Sequence, residues 1–504
     1  MVRDSGNNKL ETAGEVKGFV GPKGPAPLPR VRSRKRNDGM TGAYRSMAPS
    51  LERIWTGYFH GNVPEEDREY ILGGPSYGTV HRLASGIRRL RAFENGKRAT
   101  LCLCTDNKAL LAAAFLAAVA GGPRLVLPYA FSRHVLEEVL ETIPVAAFLT
   151  DRPEDVPPGR EVLLPAMITE AEPFPEQGID ADEPVLMLFT GGSTGVPKVW
   201  AKTPRNMVEE ARYMIARFGI TADDLFLSTV PPRHIYGFLF SILVPLIASA
   251  RVLEGIYVFP REIMKTARAS KASILISVPS CYRVLKGDGI KKHSLRLALS
   301  SAGALDPGDA DYFREKVSLD IHEIYGSTET GGVAIRCRGI DGDAWNALEP
   351  VTWRVAEGRL QVLSPFISPS LPRNEAGFFV TSDRAEEGGD GRFLLRGRAD
   401  DVIKIGGKRV DLAEIREKMM TLDGVHDALV TGGAYAGGGR VGLVALVVTD
   451  ADPAVLRHSM AALVEPYAMP RRLVVVDKIP VTATGKYDRA AVRTILEKYD
   501  LTPS

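Results

Sequence analysis

Short apolar runs alternate with amphipathic stretches of helical period from Leu83 to Thr150. Thr79–Phe93 and Lys108–Ala120 carry the helical pattern, while Ala99–Cys104, Arg124–Pro128 and Ala146–Thr150 are apolar almost throughout. Runs without polar alternation suit strands buried on both faces, and their alternation with helices predicts a parallel sheet covered on both sides. The pattern then repeats. Asn206–Phe218 and Pro260–Ala269 read as helices, and Leu225–Thr229, Ser273–Ser277, Arg296–Ser300 and Asp320–Ile324 as strands.

The rhythm changes twice more. From Trp353 to Leu395 the runs are short and turn-rich, which predicts a small β subdomain. After Arg398 a new unit begins, with a helix over Leu412–Thr421, strands over Ala428–Thr431 and Val441–Val448, and a helix over Pro453–Val464. The expected fold class is α/β: a large N-terminal domain of two parallel-sheet subdomains plus a small β subdomain, followed by an α+β C-terminal domain. The expected boundaries are a tail at 1–46, a large domain at 47–397 and a small one at 398–504. The tail is rich in Gly, Pro and basic residues, with Val31–Arg36 reading VRSRKR, and such a composition predicts disorder. Met40 and Met47 offer alternative starts for the chain.

Composition changes this picture little. A chain of 504 residues accommodates several domains of about 150 residues each. A net charge of +3 gives no general case for nucleic acid as a partner. Cys102, Cys104, Cys281 and Cys337 lack zinc spacing, and the LCLC run predicts buried free thiols in a reducing cytoplasm. The apolar stretches Ala109–Ala120 and Phe238–Ala248 are too short to span a bilayer, and no signal peptide is visible at the N-terminus. Gly437, Gly439 and Gly442 satisfy a GxGxxG pattern, but a strand pattern rather than a helix follows, so a Gly-rich hairpin is expected there.

The candidate chemistry lies in four ordered segments. Thr190–Lys198, TGGSTGVPK, follows an apolar run. Its small residues let backbone N–H groups approach an anion, its hydroxyls add donors, and Lys198 adds charge, so it suits phosphate. It is not the GxxxxGK[ST] loop, because Lys198 lies between Pro197 and Val199. Tyr325–Glu329 (YGSTE), Arg396–Lys404 (RGRADDVIK) and Thr484–Arg489 (TGKYDR) follow. Together the four resemble the AMP-forming adenylating superfamily of acyl-CoA synthetases, adenylation domains and luciferases, over roughly Leu51 to Leu496.

That resemblance assigns roles. Thr190, Gly192, Ser193, Thr194, Gly195 and Lys198 would clamp the ATP phosphates, with Gly191 and Val199 departing from the usual serine and glycine. Tyr325, with Gly326 and Ser327 beside it, would stack on adenine, and Thr328 would touch the α-phosphate. Glu329 would bind Mg2+, with Thr194 as a second metal contact. A hard cation takes a carboxylate oxygen together with phosphate oxygens, which agrees. Ser301, Gly303 and Ala304 match the adenine-contacting stretch, although a small-residue turn accounts for them equally well. Asp383 would hold both ribose hydroxyls, beside Ser382 where the family has glycine, and Arg398 would be a second nucleotide contact. Lys486 would bridge the substrate carboxylate and the α-phosphate as charge develops. His234 would stand between acyl pocket and thiol tunnel. Asp400 would be the hinge of a mobile C-terminal domain, with Gly407 and Arg409 facing the nucleotide site in its second orientation.

The function implied is a carboxylate–thiol ligase using ATP, Mg2+ and either coenzyme A or the phosphopantetheine of an acyl-carrier protein. A small carboxylic acid would be the substrate of a monomer or homodimer. Stand-alone amino-acid or aryl-acid adenylation and a non-catalytic nucleotide-binding role are the alternatives. The uncharged run Ile235–Ile242 argues against a zwitterionic substrate, and retention of Glu329, Asp383 and Lys486 argues against loss of catalysis.

Overall fold

The computed structural model describes residues 65–90, 98–172, 180–190, 198–286, 293–405, 408–435, 441–482, 485–499 and 501–503. The expected tail at 1–46, the loop residues Gly192, Ser193, Thr194 and Gly195, and Gly407 lie outside them.

The first sheet has six strands in the order Val162–Leu163, Ala147–Thr150, Thr100–Cys104, Arg124–Leu127, Leu186–Thr190, Lys198–Lys202. All neighbours are parallel except the last pair. The helix Lys108–Val119 (KALLAAAFLAAV) is apolar nearly all round, so it is buried along its whole length. Its one charge, Lys108, is satisfied by donating to the carbonyls of Leu253 and Gly255. The helix begins where Asn107 accepts from the Leu110 amide. The other expected helix in this region spans Tyr77–Arg88 and not Thr79–Phe93. It stops early because the Arg89 amide turns back to the carbonyls of Ser85, Gly86 and Ile87.

The second sheet has seven strands in the order Asn346–Ala347, Gly331–Cys337, Ile321–Ser327, Leu297–Ser300, Ile274–Ser277, Leu225–Ser228, Arg251–Ile256. Its middle is parallel, and two antiparallel strands close one edge. Beside it Ile235–Ala248 forms a helix that widens to π geometry over Leu239–Leu243. Pro245 has no amide to donate to the preceding turn, which accounts for a break in ordinary pairing there.

The small β subdomain is an antiparallel sheet of Thr352–Ala356, Arg359–Leu363, Phe379–Glu387 and Phe393–Arg398. The C-terminal unit follows with its own apolar core around Val410, Met419, Leu443, Ala445 and Met460. It holds a hairpin, Val402–Ile405 with Lys408–Asp411, and a sheet in the order Arg472–Val475, Val441–Thr449, Val425–Tyr435, Leu501–Pro503. Helices Leu412–Met420, Pro453–Leu463 and Arg489–Glu497 complete it. Val425–Tyr435 and Val441–Thr449 are antiparallel neighbours, and Gly442 is paired with Gly433 within them; Gly437 and Gly439 lie outside the described residues. Cys102 and Cys104 are buried free thiols. Among the described residues no helix is long and apolar enough to cross a membrane.

Candidate active site

Ligands of open α/β sheets gather at the carboxyl ends of the strands. Here Leu297–Ser300 and Ile321–Ser327 are parallel neighbours, so the segments that follow them, Ser301–Ala304 and Thr328–Glu329, emerge side by side. Ser301 Oγ donates to the Ile324 carbonyl at 2.8 Å, tying the two together. Ala302 holds a φ of 72°, a left-handed conformation that costs a residue with a Cβ about 1–3 kcal/mol. The YGSTE segment continues the strand through Ser327 and turns at Thr328–Thr330 into the antiparallel strand Gly331–Cys337. Glu329 therefore sits on a hairpin turn, braced by Ser327 and Thr330 hydroxyls 2.9 Å apart.

The adjoining β subdomain supplies Asp383 and Arg398, which face one another as register partners on paired strands. Tyr325 Oη donates to Asp383 Oδ2 at 2.5 Å, and Arg398 Nη1 lies 3.9 Å from Oδ1. Burial, with the Asp383 carboxylate beside it, raises the Tyr325 phenol well above its ordinary range, so it stays a donor. Trp345 and Phe393 pack against the Tyr325 ring at centroid distances of 5.5 and 6.1 Å.

Lys486 enters from the C-terminal unit. Its loop is closed by two backbone bonds, Thr482 amide to Lys486 carbonyl at 2.7 Å and Gly485 amide to Thr482 carbonyl at 2.8 Å. Gly485 has a φ of 76°, and a Cβ there would lie 3.0 Å from Ser280 Oγ and 3.1 Å from Val278 Cγ2, so the loop presses on the large domain. Tyr487 anchors it from behind, donating to Asp427 Oδ1 at 2.6 Å and accepting from Arg416 at 3.1 Å. The Lys486 side chain keeps solvent on one side. Loss of water elsewhere still lowers its pKa, with Glu329 and Asp383 raising it and Arg398 lowering it. His234 feels the same charge: burial, then Arg233 and Lys486, push its imidazole down to about 3, so it is neutral. Glu329, Asp383, Arg398 and His234 thus each stand within electrostatic reach of Lys486.

Other expected residues are placed less fully. Thr190 and Lys198 are paired across the antiparallel strands on either side of the expected phosphate-binding segment, and Thr190 Oγ1 accepts from Trp200 Nε1 at 3.1 Å. Gly303 and Ala304 are exposed. Asp400 lies in a 3-10 turn, Ala399–Asp401, and Arg409 in the hairpin strand Lys408–Asp411.

The sequence reading missed several contributors. Lys202 and Glu210 are buried beneath the Glu329 turn. Arg384 is ion-paired with Asp411 across the junction to the C-terminal unit. Arg233 forks onto both Asp106 oxygens at 2.9 and 2.7 Å, beside a cavity of about 380 Å3 lined also by Phe131, Ser132 and Arg152. None of these forms a local motif.

An aromatic ring, a carboxylate with one oxygen already held, a turn bearing Thr328 and Glu329, and a lysine above them make a donor set that fits an adenosine phosphate. Among the described residues no three His, Cys, Asp or Glu side chains converge to cage a metal. One carboxylate, Glu329, suits a hard cation that arrives with phosphate oxygens.

Comparison with known proteins agrees with this layout. At 26% identity over 399 residues, 67% of this chain aligns with 60% of an acetyl-coenzyme A synthetase of Coprinopsis cinerea. At 25% identity, 65% of it aligns with 69% of a sulfoacetate–CoA ligase of Cupriavidus necator. The chain spans about three fifths of the length of several such relatives. Its fold matches ATP-bound MatB from Rhodopseudomonas palustris with a TM-score of 0.77, at 22% identity, covering 88% of this chain and 99% of that one. It also matches O-succinylbenzoate coenzyme A synthetase (MenE) from Bacillus subtilis, solved with ATP and magnesium, with a TM-score of 0.72 at 20% identity, covering 86% and 98%. The model of the AMP-binding enzyme C-terminal domain matches residues 414–486, and that of the AMP-binding enzyme matches 77–382, more than half the chain. The chain belongs to the AMP-binding enzyme family.

Proposed function

We propose that the chain is an ATP-dependent, AMP-forming carboxylate–thiol ligase. The observation that supports this most is the seating of the Lys486 loop, from the C-terminal unit, against Val278 and Ser280 of the large domain, where Glu329, Asp383 and the junction residue Arg398 act on its charge. In the first half-reaction a carboxylate oxygen of the acid attacks the α-phosphorus of ATP. The bond to the bridging β-phosphate oxygen breaks and pyrophosphate leaves, giving acyl-AMP. Asp383 Oδ1 accepts from the ribose hydroxyls while Tyr325 fixes Oδ2, and Arg398 stands beside them. Thr328 meets the α-phosphate, and Lys486 faces the negative charge that accumulates between the two reacting oxygens. Glu329, with Thr194, would hold magnesium, which when bound neutralises phosphate charge.

In the second half-reaction the sulfur of a thiol attacks the acyl carbonyl, the carbon–oxygen bond to AMP breaks, and the thiol proton passes to solvent. His234, neutral and partly buried, forms a wall of the site. We assign residues 47–397 to the large domain and 398–504 to a domain that turns about Asp400, removing Lys486 and bringing Gly407 and Arg409 to the nucleotide.

The buried apolar helix that follows His234, from Gly237 to Ile242, supports an aliphatic or aromatic acid. Coenzyme A in the relatives' names supports that acceptor, and an acyl-carrier protein presents the same thiol. The test is pyrophosphate release from ATP and Mg2+ with a panel of acids, followed by thioester analysis with coenzyme A and with a holo carrier protein. Acid-dependent pyrophosphate and a thioester are expected. ATP binding without pyrophosphate release from any acid would sink the proposal.

A further inference from the structure

We propose that Lys202 and Glu210 are positioning residues for the reaction: a buried cation and anion that grip the hairpin turn from beneath and set where Glu329 meets the nucleotide's cation. The inference rests on the ligase reading above.

Lys202 ends the strand that leaves the phosphate loop, and its side chain is completely buried. A buried ammonium is tolerated only when its protons are taken up. Nζ donates to the Phe366 carbonyl at 2.8 Å and to the Glu329 carbonyl at 3.2 Å. The Ser368 amide reaches the same Glu329 carbonyl at 2.8 Å. The backbone of Glu329 is therefore held by two donors from below. Glu210, on the helix Pro204–Phe218, is 3% exposed and accepts from the Gly332 amide through Oε1 at 2.7 Å. Its Oε2 has no hydrogen-bond partner. It lies 2.7 Å from where a Cβ on Gly331 would stand, and Gly331 holds a φ of 67°. The turn can pass over Glu210 only as glycine.

The two charges thus clasp opposite ends of one short segment, Glu329 to Gly332. Stability alone does not call for them, since well-packed apolar residues of similar volume often replace buried charged groups at no loss. What apolar residues cannot do is fix the carbonyl of Glu329 and the amide of Gly332 at set positions. A carboxylate that must share a cation with phosphate oxygens needs that constraint, because small errors in placement are expensive for a small octahedral ion.

The test is calorimetric binding of ATP to Lys202→Met and Glu210→Gln, each with MgCl2 and with EDTA, alongside melting temperatures. Lys202→Met keeps the length and removes the donor. Expected is an affinity loss of about tenfold for ATP with magnesium and less than twofold with EDTA, with the acid KM unchanged. Glu210→Gln should move the same way by a smaller factor. It also carries the test should Lys202→Met fail to fold. Wild-type affinity with magnesium in the variants that fold, or an equal loss with and without it, would overturn the proposal. Because this readout needs no turnover, a wild-type protein that binds ATP but activates no acid would count against the ligase reading and not against the pair.

Discussion

The Tyr325 hydroxyl donates to Asp383 Oδ2 at 2.5 Å, joining two residues that lie on different sheets and belong to different motifs. A hydrogen bond to a charged group is worth about 1.5–3 kcal/mol, so this contact can fix the carboxylate rotamer before any nucleotide arrives. It also leaves Oδ1 as the oxygen turned toward Arg398.

Tyr325→Phe keeps the aromatic face and removes the donor. ATP affinity should fall about tenfold, the equivalent of about 1.4 kcal/mol, with the maximal rate of acyl-AMP formation nearly unchanged. Isothermal titration and initial rates at saturating ATP separate the two effects. A fall in rate without a change in affinity would show that the bond serves the transition state instead.

Lys486→Ala should nearly abolish acyl-AMP formation, by about 10²–10³ in rate, while thioester formation from supplied acyl-AMP survives. On the proposed reading the charge is needed only while the carboxylate attacks phosphorus. Equal damage to both half-reactions would remove Lys486 from that role.

Much of this was legible in the chain. The parallel sheets were, because strands buried on both faces are apolar throughout and cannot be confused with amphipathic helices. Leu225–Ser228, Ile274–Ser277 and Leu297–Ser300 each differ from expectation by only one residue at an end. The helix Arg133–Thr142 was not read, although Val135, Leu136 and Val139 recur along it at helical spacing. Glu329, Asp383 and Lys486 stood out because each lies in a compact motif. Lys202 and Glu210 did not. A lysine and a glutamate read as solvated charge in any local window, and only packing against Phe366 and Gly332, each more than a hundred residues away, buries them.

Acid should weaken the fold through buried histidines. Burial pushes His81 down to about 4, so it stays neutral in the folded protein while the unfolded chain takes up a proton below its ordinary 6.5. Stability is therefore lost as pH falls from 6.5 toward 4, by about 1.4 kcal/mol per unit. His81→Leu should lose about 2 kcal/mol less than wild type between pH 7 and pH 5. Glu210, which is buried, and Glu254 are both raised by loss of water and act in the opposite direction, but equally in both proteins. Denaturant melts at the two pH values measure the difference. Parallel losses in both proteins would show that His81 does not titrate as its burial requires.

The orientation of the C-terminal unit rests in part on Arg384, which follows Asp383 in sequence and pairs with Asp411 across the junction. Gly397 lets the two approach: at a φ of 78° its Cβ position lies 3.2 Å from Ala413 Cβ and 3.4 Å from Arg384 Nη2. On the proposed reading the pair must open when the small domain turns. A partly exposed ion pair is worth up to about 1 kcal/mol, which can shift a two-state orientation about fivefold. Asp411 also caps the helix Leu412–Met420, accepting from the Ala413 amide at 3.0 Å, so its removal would confound orientation with folding. Arg384 is the side to change. Arg384→Ala should slow acyl-AMP formation about two- to fivefold and leave thioester formation from supplied acyl-AMP equal or faster, with Arg384→Lys in between. The opposite signs matter, because general damage to the neighbouring nucleotide site would lower the first rate without sparing the second when AMP must also be bound. If both half-reactions slow together, the ion pair holds the domain surfaces in place without favouring one orientation.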